Sequence, residues 1–257
     1  MSPWHFNGRY RKSAHTLIVI ATMLTASCQS APVSENAAIS SSLTQAALAA
    51  ERTNDYSTAI NQYQKLLTRD PENIDVLIGL ARNLRYSGDS INAVKILEKL
   101  GPAEEAPVVF RLELAKSKIA AGKAKAAIKQ LKLALGDEPK NWQIHSTLGI
   151  AHDLNEDFAS ARDAYEQARA LSEDNPAVLN NMALSAALSG DIDRAITLLE
   201  SAPRLARHSP QIRQNLAFFY GIKGDMKSAG SLARMDLDEE QVRTNLSIYS
   251  RFHKKQF

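Results

Sequence analysis

The sequence predicts an all-α fold: a right-handed superhelical solenoid of about six helix-turn-helix repeats, closed by a C-terminal capping helix. Two columns of small residues carry that reading. Ala59, Ala93, Ala127, Ala161, Ala195 and Ala229 recur every 34 residues, and Ala47, Ala81, Ala115, Gly149, Ala183 and Ala217 keep the same interval twelve positions earlier. Stacked helical hairpins need small side chains at a fixed period, because their backbones approach closely only where little intervenes. A third column places the turns. Gly88, Gly122, Gly190 and Gly224 stand five residues before the alanines, where a residue with positive φ ends the first helix of a hairpin.

The elements follow in order. Residues 1–27 read as a signal segment of lipoprotein type, with Arg9, Arg11 and Lys12 as a basic start, Leu17 to Ala26 as an apolar stretch and the small pair Ala26 and Ser27 before Cys28. The apolar stretch is about half the roughly 20 residues that span a bilayer, which favours removal over retention. Residues 28–41, rich in Ser, Ala and Asn with Pro32, read as a flexible tether, so ordered structure is expected from about Ser42. Residues 42–237 are the repeat solenoid. Asp89, Asp157, Asp191 and Asp225 follow the turn as N-caps of second helices. Tyr63, Leu97, Leu131, Tyr165 and Leu199, four residues after the alanine column, share its helical face, and the last repeat departs with Ala233. Pro71, Pro139, Pro176 and Pro210 are expected to stop helices, and Gly101 to Pro107 to form a looser joint. Residues 238–257 are the capping helix and tail, with Val242, Leu246 and Tyr249 on its apolar face.

A 34-residue helix-turn-helix period resembles the tetratricopeptide repeat. The competing arrangement, an irregular helical bundle, would have to align six small residues in each of two columns by accident. What the resemblance implies is binding of protein partners on a concave groove lined by first helices. In this register the groove residues are Arg82, Arg85 and Tyr86, then Leu112, Lys116 and Ile119, then Ile150, Asn180, Leu184, Gln214 and Phe218. Donors mixed with apolar side chains suit an extended strand or short helix of another protein. The set does not reproduce the paired Lys and Asn arrangement of repeat domains that clamp a carboxyl-terminal peptide.

The chemistry-bearing residues assemble no expected catalytic, cofactor or metal site, so the chain reads as non-enzymatic. His145 and His152 stand seven residues apart, about 10.5 Å along a helix axis and too far for one metal ion. No phosphate-binding glycine loop and no HExxH pattern is present. The run Lys116, Lys118, Lys123, Lys125, Lys129, Lys132 is either a docking patch for an acidic or lipid surface or the solvated side of a hairpin. Lys plus Arg number 31 against 28 Asp plus Glu. The first 27 residues hold three of the basic residues and none of the acidic ones, leaving 28 against 28. A neutral mature chain gives no reason to expect a nucleic-acid partner, and a small-molecule substrate is not expected either.

Leu24-Thr25-Ala26-Ser27-Cys28 resembles a bacterial lipobox, with the leucine one place further from the cysteine than is usual. Cys28 is either the acylated first residue of a mature lipoprotein or an incidental residue near an ordinary signal-peptidase cut, and its placement favours the first. Gln29 rather than aspartate after it favours the outer membrane, with the solenoid facing the periplasm. The C-terminal residues Arg213-Gln214-Asn215-Leu216-Ala217, Ala233-Arg234-Met235-Asp236-Leu237, Val242, Asn245 and Tyr249 resemble the end of the tetratricopeptide lipoprotein of tight-adherence (Tad, or Flp) pilus assembly systems. That resemblance implies a pilotin-like adaptor whose partners are the secretin or other pilus-assembly subunits. A periplasmic scaffold that recruits or regulates a cell-wall hydrolase or protease is the alternative.

Overall fold

The computed structural model describes residues 35–101, 105–201 and 209–256. The segment 1–27 and Cys28 therefore lie outside the described residues, as does part of the joint after Gly101. Among the described residues there are thirteen helices and no strand. They are α1 (Glu35–Arg52), α2 (Tyr56–Leu67), α3 (Ile74–Tyr86), α4 (Ser90–Glu98), α5 (Val108–Ala120), α6 (Ala124–Asp137), α7 (Trp142–Asp153), α8 (Phe158–Leu171), α9 (Pro176–Leu188), α10 (Ile192–Glu200), α11 (Pro210–Lys223), α12 (Met226–Ala233) and α13 (Glu239–Gln256). Helices pair in sequence from α1 with α2 to α11 with α12, giving six hairpins followed by α13.

Capping side chains recur at the repeat interval and set the helix starts. Asp55, Asp89, Asp157, Asp191 and Asp225 each accept a bond from a backbone N–H three residues on, opening the second helix of a hairpin. Lys123 occupies the same position in the third hairpin and caps nothing. First helices have their own column, in which Asn73, Asn141, Asn175 and Ser209 cap α3, α7, α9 and α11, while Pro107 opens α5 without a side-chain cap. Asp238 and Gln241 cap α13 reciprocally, each side chain accepting the other's backbone N–H. The turn column holds Gly88, Gly122, Gly190 and Gly224 at positive φ, and Asn54 (φ 57°) and Glu156 (φ 58°) take the same slot without being glycine.

Packing explains the small columns. All eleven alanines in them are without solvent exposure, and Gly149 is buried. Three bands of apolar side chains run between the helix layers, the first from α1 to α5, the second from α5 to α8 and the third from α8 to α11, and a fourth seats Val242 and Tyr249 of α13 on Ala217, Ala229 and Ala233. The departure at Ala233 now has a reason: the space of a large residue there is filled by α13. The widest-spanning side-chain bonds among the described residues, Asn181 to Ser146 and Asn215 to Asn180, join one repeat to the next.

Two expectations are corrected. Helix α1 begins at Glu35, ahead of Ser42, so the last part of segment 28–41 is helical rather than a flexible tether. Glu35 suits the positive end of the helix, and Asn36 is held by Arg69 of the loop after α2 through a 3.2 Å bond. Pro176 and Pro210 do not stop helices but start α9 and α11 as their first residues, where a missing N–H costs nothing. No described helix is long and apolar enough to cross a membrane.

Candidate protein-binding groove

First helices α3, α5, α7, α9 and α11 pack side by side, and α13 follows α11 in the same layer. Second helices do not touch one another to a comparable extent. Crowding one layer while spreading the other curves the stack, so the first helices form its concave side.

One column of residues, spaced by the repeat, runs along that side: Leu48, Arg82, Lys116, Ile150, Leu184 and Phe218. Each keeps solvent exposure, and from Arg82 to Phe218 it does so on a helix packed on both flanks. Phe252 of α13 stands one interval beyond Phe218 and meets it edge to face at 5.9 Å. Tyr249 meets the same ring at 5.5 Å. Sequence reasoning missed Leu48 and Phe252, and the signal that finds them is the same interval carried one step past Arg82 and past Phe218.

The second and third hairpins make the cationic part of the column. Arg82 Nη2 donates to Glu51 Oε1 at 3.0 Å and Arg85 Nε donates to Glu113 Oε1 at 3.0 Å. The Arg85 guanidinium also lies 4.4 Å over the ring of Tyr86, which packs 5.5 Å from Tyr56 and is itself exposed. Lys116 differs from both arginines, having no carboxylate at ion-pair distance among the described residues. Burial pushes its ammonium below the ordinary lysine range, Glu113 opposes that, and Arg85 and Arg82 push it further down. Ile119, one turn on, is half-buried.

From the fourth hairpin onward the column is apolar. A pocket of about 500 Å³ between α7 and α9 is walled by Ile150, Leu154, Leu184 and Leu188, with Asp153, Tyr165 and Asn181 among its polar lining. Leu154 and Leu188 are more than half exposed, and with Ile150 and Leu184 they line one pocket, a contiguous apolar patch of the kind that marks an interaction site.

Three expected groove residues lie elsewhere. Leu112 is buried in the core between α5 and α7. Asn180 is buried and accepts a 2.5 Å bond from Asn215. Gln214 donates to Asp236 at 2.9 Å, beside Arg213, which grips the same carboxylate through two nitrogens. Asn180 and Asn215 join one repeat to the next, and the Gln214 amide nitrogen joins α11 to the loop before α13, while its oxygen is buried without a partner among the described residues.

A buried polar motif supports the groove from behind and recurs three repeats apart. Tyr63 donates to Glu51 at 3.2 Å, and Asn83 donates to the same carboxylate at 2.6 Å. Tyr165 donates to Asp153 at 2.9 Å, and Ser185 donates to its other oxygen at 2.7 Å. Burial raises Asp153 above the usual carboxylate range, against the two hydrogen bonds that lower it. Tyr165 is pushed far up by burial and then by the Asp153 charge, so it stays a neutral donor.

The remaining candidates are dispersed. The lysine run is not one patch: Lys116 faces the groove, Lys118 is buried and paired with Glu98 at 3.1 Å, and Lys123, Lys125, Lys129 and Lys132 are exposed on or next to α6. His145 Nε2 lies 2.9 Å from the Pro139 carbonyl. His152 Nδ1 lies 3.2 Å from Asp157 at ion-pair distance, without hydrogen-bond alignment. No group of three or more His, Cys, Asp or Glu among the described residues is placed to hold a metal ion.

Three family models described as tetratricopeptide repeat match residues 41–73, 112–176 and 154–217, together more than half of the chain. Among curated proteins none matches. Solved structures with the same fold include TTC0263, a thermophilic tetratricopeptide repeat protein of Thermus thermophilus, at 17% identity and TM-score 0.58, covering 68% of this chain and 98% of that one. MamA residues 41 to the end from Desulfovibrio magneticus RS-1 match at 15% identity and TM-score 0.53, over 66% of this chain and 97% of that one. A match in the Cut9-Hcn1 hetero-tetramer of the APC/C has 17% identity and TM-score 0.62, covering 82% of this chain and 42% of that one.

Proposed function

Because the chain belongs to the tetratricopeptide repeat family, we propose that it is a non-enzymatic adaptor that holds a segment of a partner protein along its inner face, and that it does so as an outer-membrane lipoprotein, anchored through Cys28 and facing the periplasm, that assists assembly of a tight-adherence pilus or its secretin pore. The observation that carries the adaptor role is the exposed column from Leu48 to Phe252, with leucines left open to solvent around a pocket of about 500 Å³. The pilus role is supported by the C-terminal resemblance. Its residues Arg213, Gln214 and Asp236 are bonded into one joint that fixes α13 on the last hairpin. A lipid on the N-terminus would raise the local concentration of the groove beside membrane-bound partners, and each acyl methylene buried adds about 0.8 kcal/mol to attachment.

The test is affinity purification of the tagged protein from detergent-solubilised envelope of its native host, beside a Cys28→Ala version, with mass spectrometry of partners and of the mature N-terminus. The expected result is a co-purifying secretin and an acylated Cys28, with membrane attachment lost in the alanine version. An unmodified N-terminus and no secretin overturn both anchor and pilus role. A cell-wall hydrolase or protease recovered in place of the secretin moves the function to a periplasmic recruiting scaffold.

A further inference from the structure

The inner face is chemically divided, and the division constrains what lies on it. Its cations are gathered on α3 and α5, where Arg82, Arg85 and Lys116 face two neutralising carboxylates among the described residues, Glu51 and Glu113. One positive charge is left over. It belongs to Lys116, which is partly buried, has no carboxylate at ion-pair distance among the described residues and is crowded by both arginines. A partly desolvated ammonium next to two guanidinium groups gains more from an arriving anion than a lysine in water does, because the local dielectric screens less. Beyond Lys116 the column carries no charge, and Ile150, Leu154, Leu184 and Leu188 make the apolar part of an open pocket whose lining also holds Glu156 and Asp153, the latter bonded to Tyr165 and Ser185.

We infer that the occupant of the inner face is an extended protein segment of bipartite chemistry, with a carboxylate that pairs with Lys116 and a large apolar side chain that fills the pocket between α7 and α9. This deepens the adaptor reading and rests on it. Packed helices lie about 8–10 Å apart, so the pocket is one to two helix spacings from Lys116. An extended chain advances about 3.3 Å per residue, which puts the acidic and apolar side chains about three to six positions apart, in either chain direction. Arg82 and Arg85 are held in place by their glutamates and form the fixed wall beside Lys116. Tyr86, exposed beside Arg85, offers its ring as the rim of the anion subsite.

The experiment is selection of phage-displayed random peptides on the full-length chain in detergent micelles, run in parallel on Lys116→Glu and Leu184→Asp chains whose thermal unfolding matches the parent. The parent is expected to enrich peptides pairing Asp or Glu with Leu, Ile, Met or Phe at the spacing above. Lys116→Glu is expected to recover those peptides about tenfold less well, the effect of ~1.4 kcal/mol, and to shift enrichment toward Lys and Arg. Leu184→Asp is expected to keep the acidic preference and lose the apolar one. Enriched peptides that compete for the groove yet lack the acidic residue, or whose recovery ignores both substitutions, overturn the bipartite occupant and leave the adaptor role standing. A parent that enriches nothing overturns the inference, while the adaptor role is then decided by whether a partner co-purifies from the envelope.

Discussion

Replacing Gly149 by alanine separates two lines of reasoning that disagree in sign. The other five positions of its column are alanine, and alanine is better than glycine inside a helix by about 1 kcal/mol, so the repeat pattern alone favours the change. The packing opposes it. A Cβ on Gly149 would stand 2.6 Å from Cε1 and Cζ of Tyr165 and 2.8 Å from Cδ1. Carbon atoms rest about 3.5–4.0 Å apart, so the ring must retreat by about 1 Å. That retreat is resisted, because the ring is 2% exposed and its hydroxyl is tied to Asp153 at 2.9 Å, so moving toward the pocket between α7 and α9 breaks that bond. Overpacking costs about 1–3 kcal/mol and disturbing a bond to a carboxylate about 1.5–3 kcal/mol. After the helix gain, a net loss of about 2–4 kcal/mol remains, or roughly 5–15 °C in melting temperature for a chain of this size. Circular dichroism during thermal and urea unfolding measures it. The double change Gly149→Ala with Tyr165→Leu, which installs the leucine found at three other positions of that column, is expected to lose less than the two single changes added together. Melting of Gly149→Ala at or above the parent refutes the reasoning.

Other changes test the columns and the C-terminal joint. Lys123→Asp puts the missing cap at the start of α6, on a backbone (φ −95°, ψ 52°) close to that of the working cap Asp89 (φ −90°, ψ 56°), and is expected to stabilise by about 1 kcal/mol in urea titration. Glu156→Gly removes a side chain from a left-handed backbone at φ 58° and is expected to raise stability by about 1 kcal/mol, with Asn54→Gly giving less because asparagine tolerates that region better. Hydrogen bonding from Arg213, and then from Gln214, holds Asp236 below its ordinary carboxylate pKa. Its stabilisation is therefore present above that ordinary value, near 3.8, and is lost as pH falls through the lower folded value. Melting temperatures across pH for the parent and Asp236→Asn are expected to differ near neutrality and to converge in acid.

The repeat frame was legible because small residues admit few substitutes at a helix crossing, so Ala59 to Ala229 show their interval openly. The turn column was half legible, since glycine marks four of its positions while Asn54 and Glu156 adopt the same backbone under other names. The cap column Asn73, Asn141, Asn175 and Ser209 keeps the same interval and was equally available. Of the groove residues, Leu112, Asn180 and Gln214 failed together, and they belong to one column, a helical turn before Lys116, Leu184 and Phe218. Four residues advance a helix by a full turn plus about 40°, enough to aim that column at the neighbouring hairpin instead of the open face. Helical spacing within one repeat cannot show this, because the neighbour decides which of two adjacent stripes is covered.

Contacts that reach only the adjacent repeat have a mechanical meaning. Among the described residues the widest bonds join neighbours and none ties α3 to α9, so stiffness there is local and one hairpin can loosen without the rest. A segment laid across several first helices would be the longest-range link in the assembly. It would convert a spring of separately yielding hairpins into a single elastic body, and the affinity of the complex would include the entropy that the spring gives up.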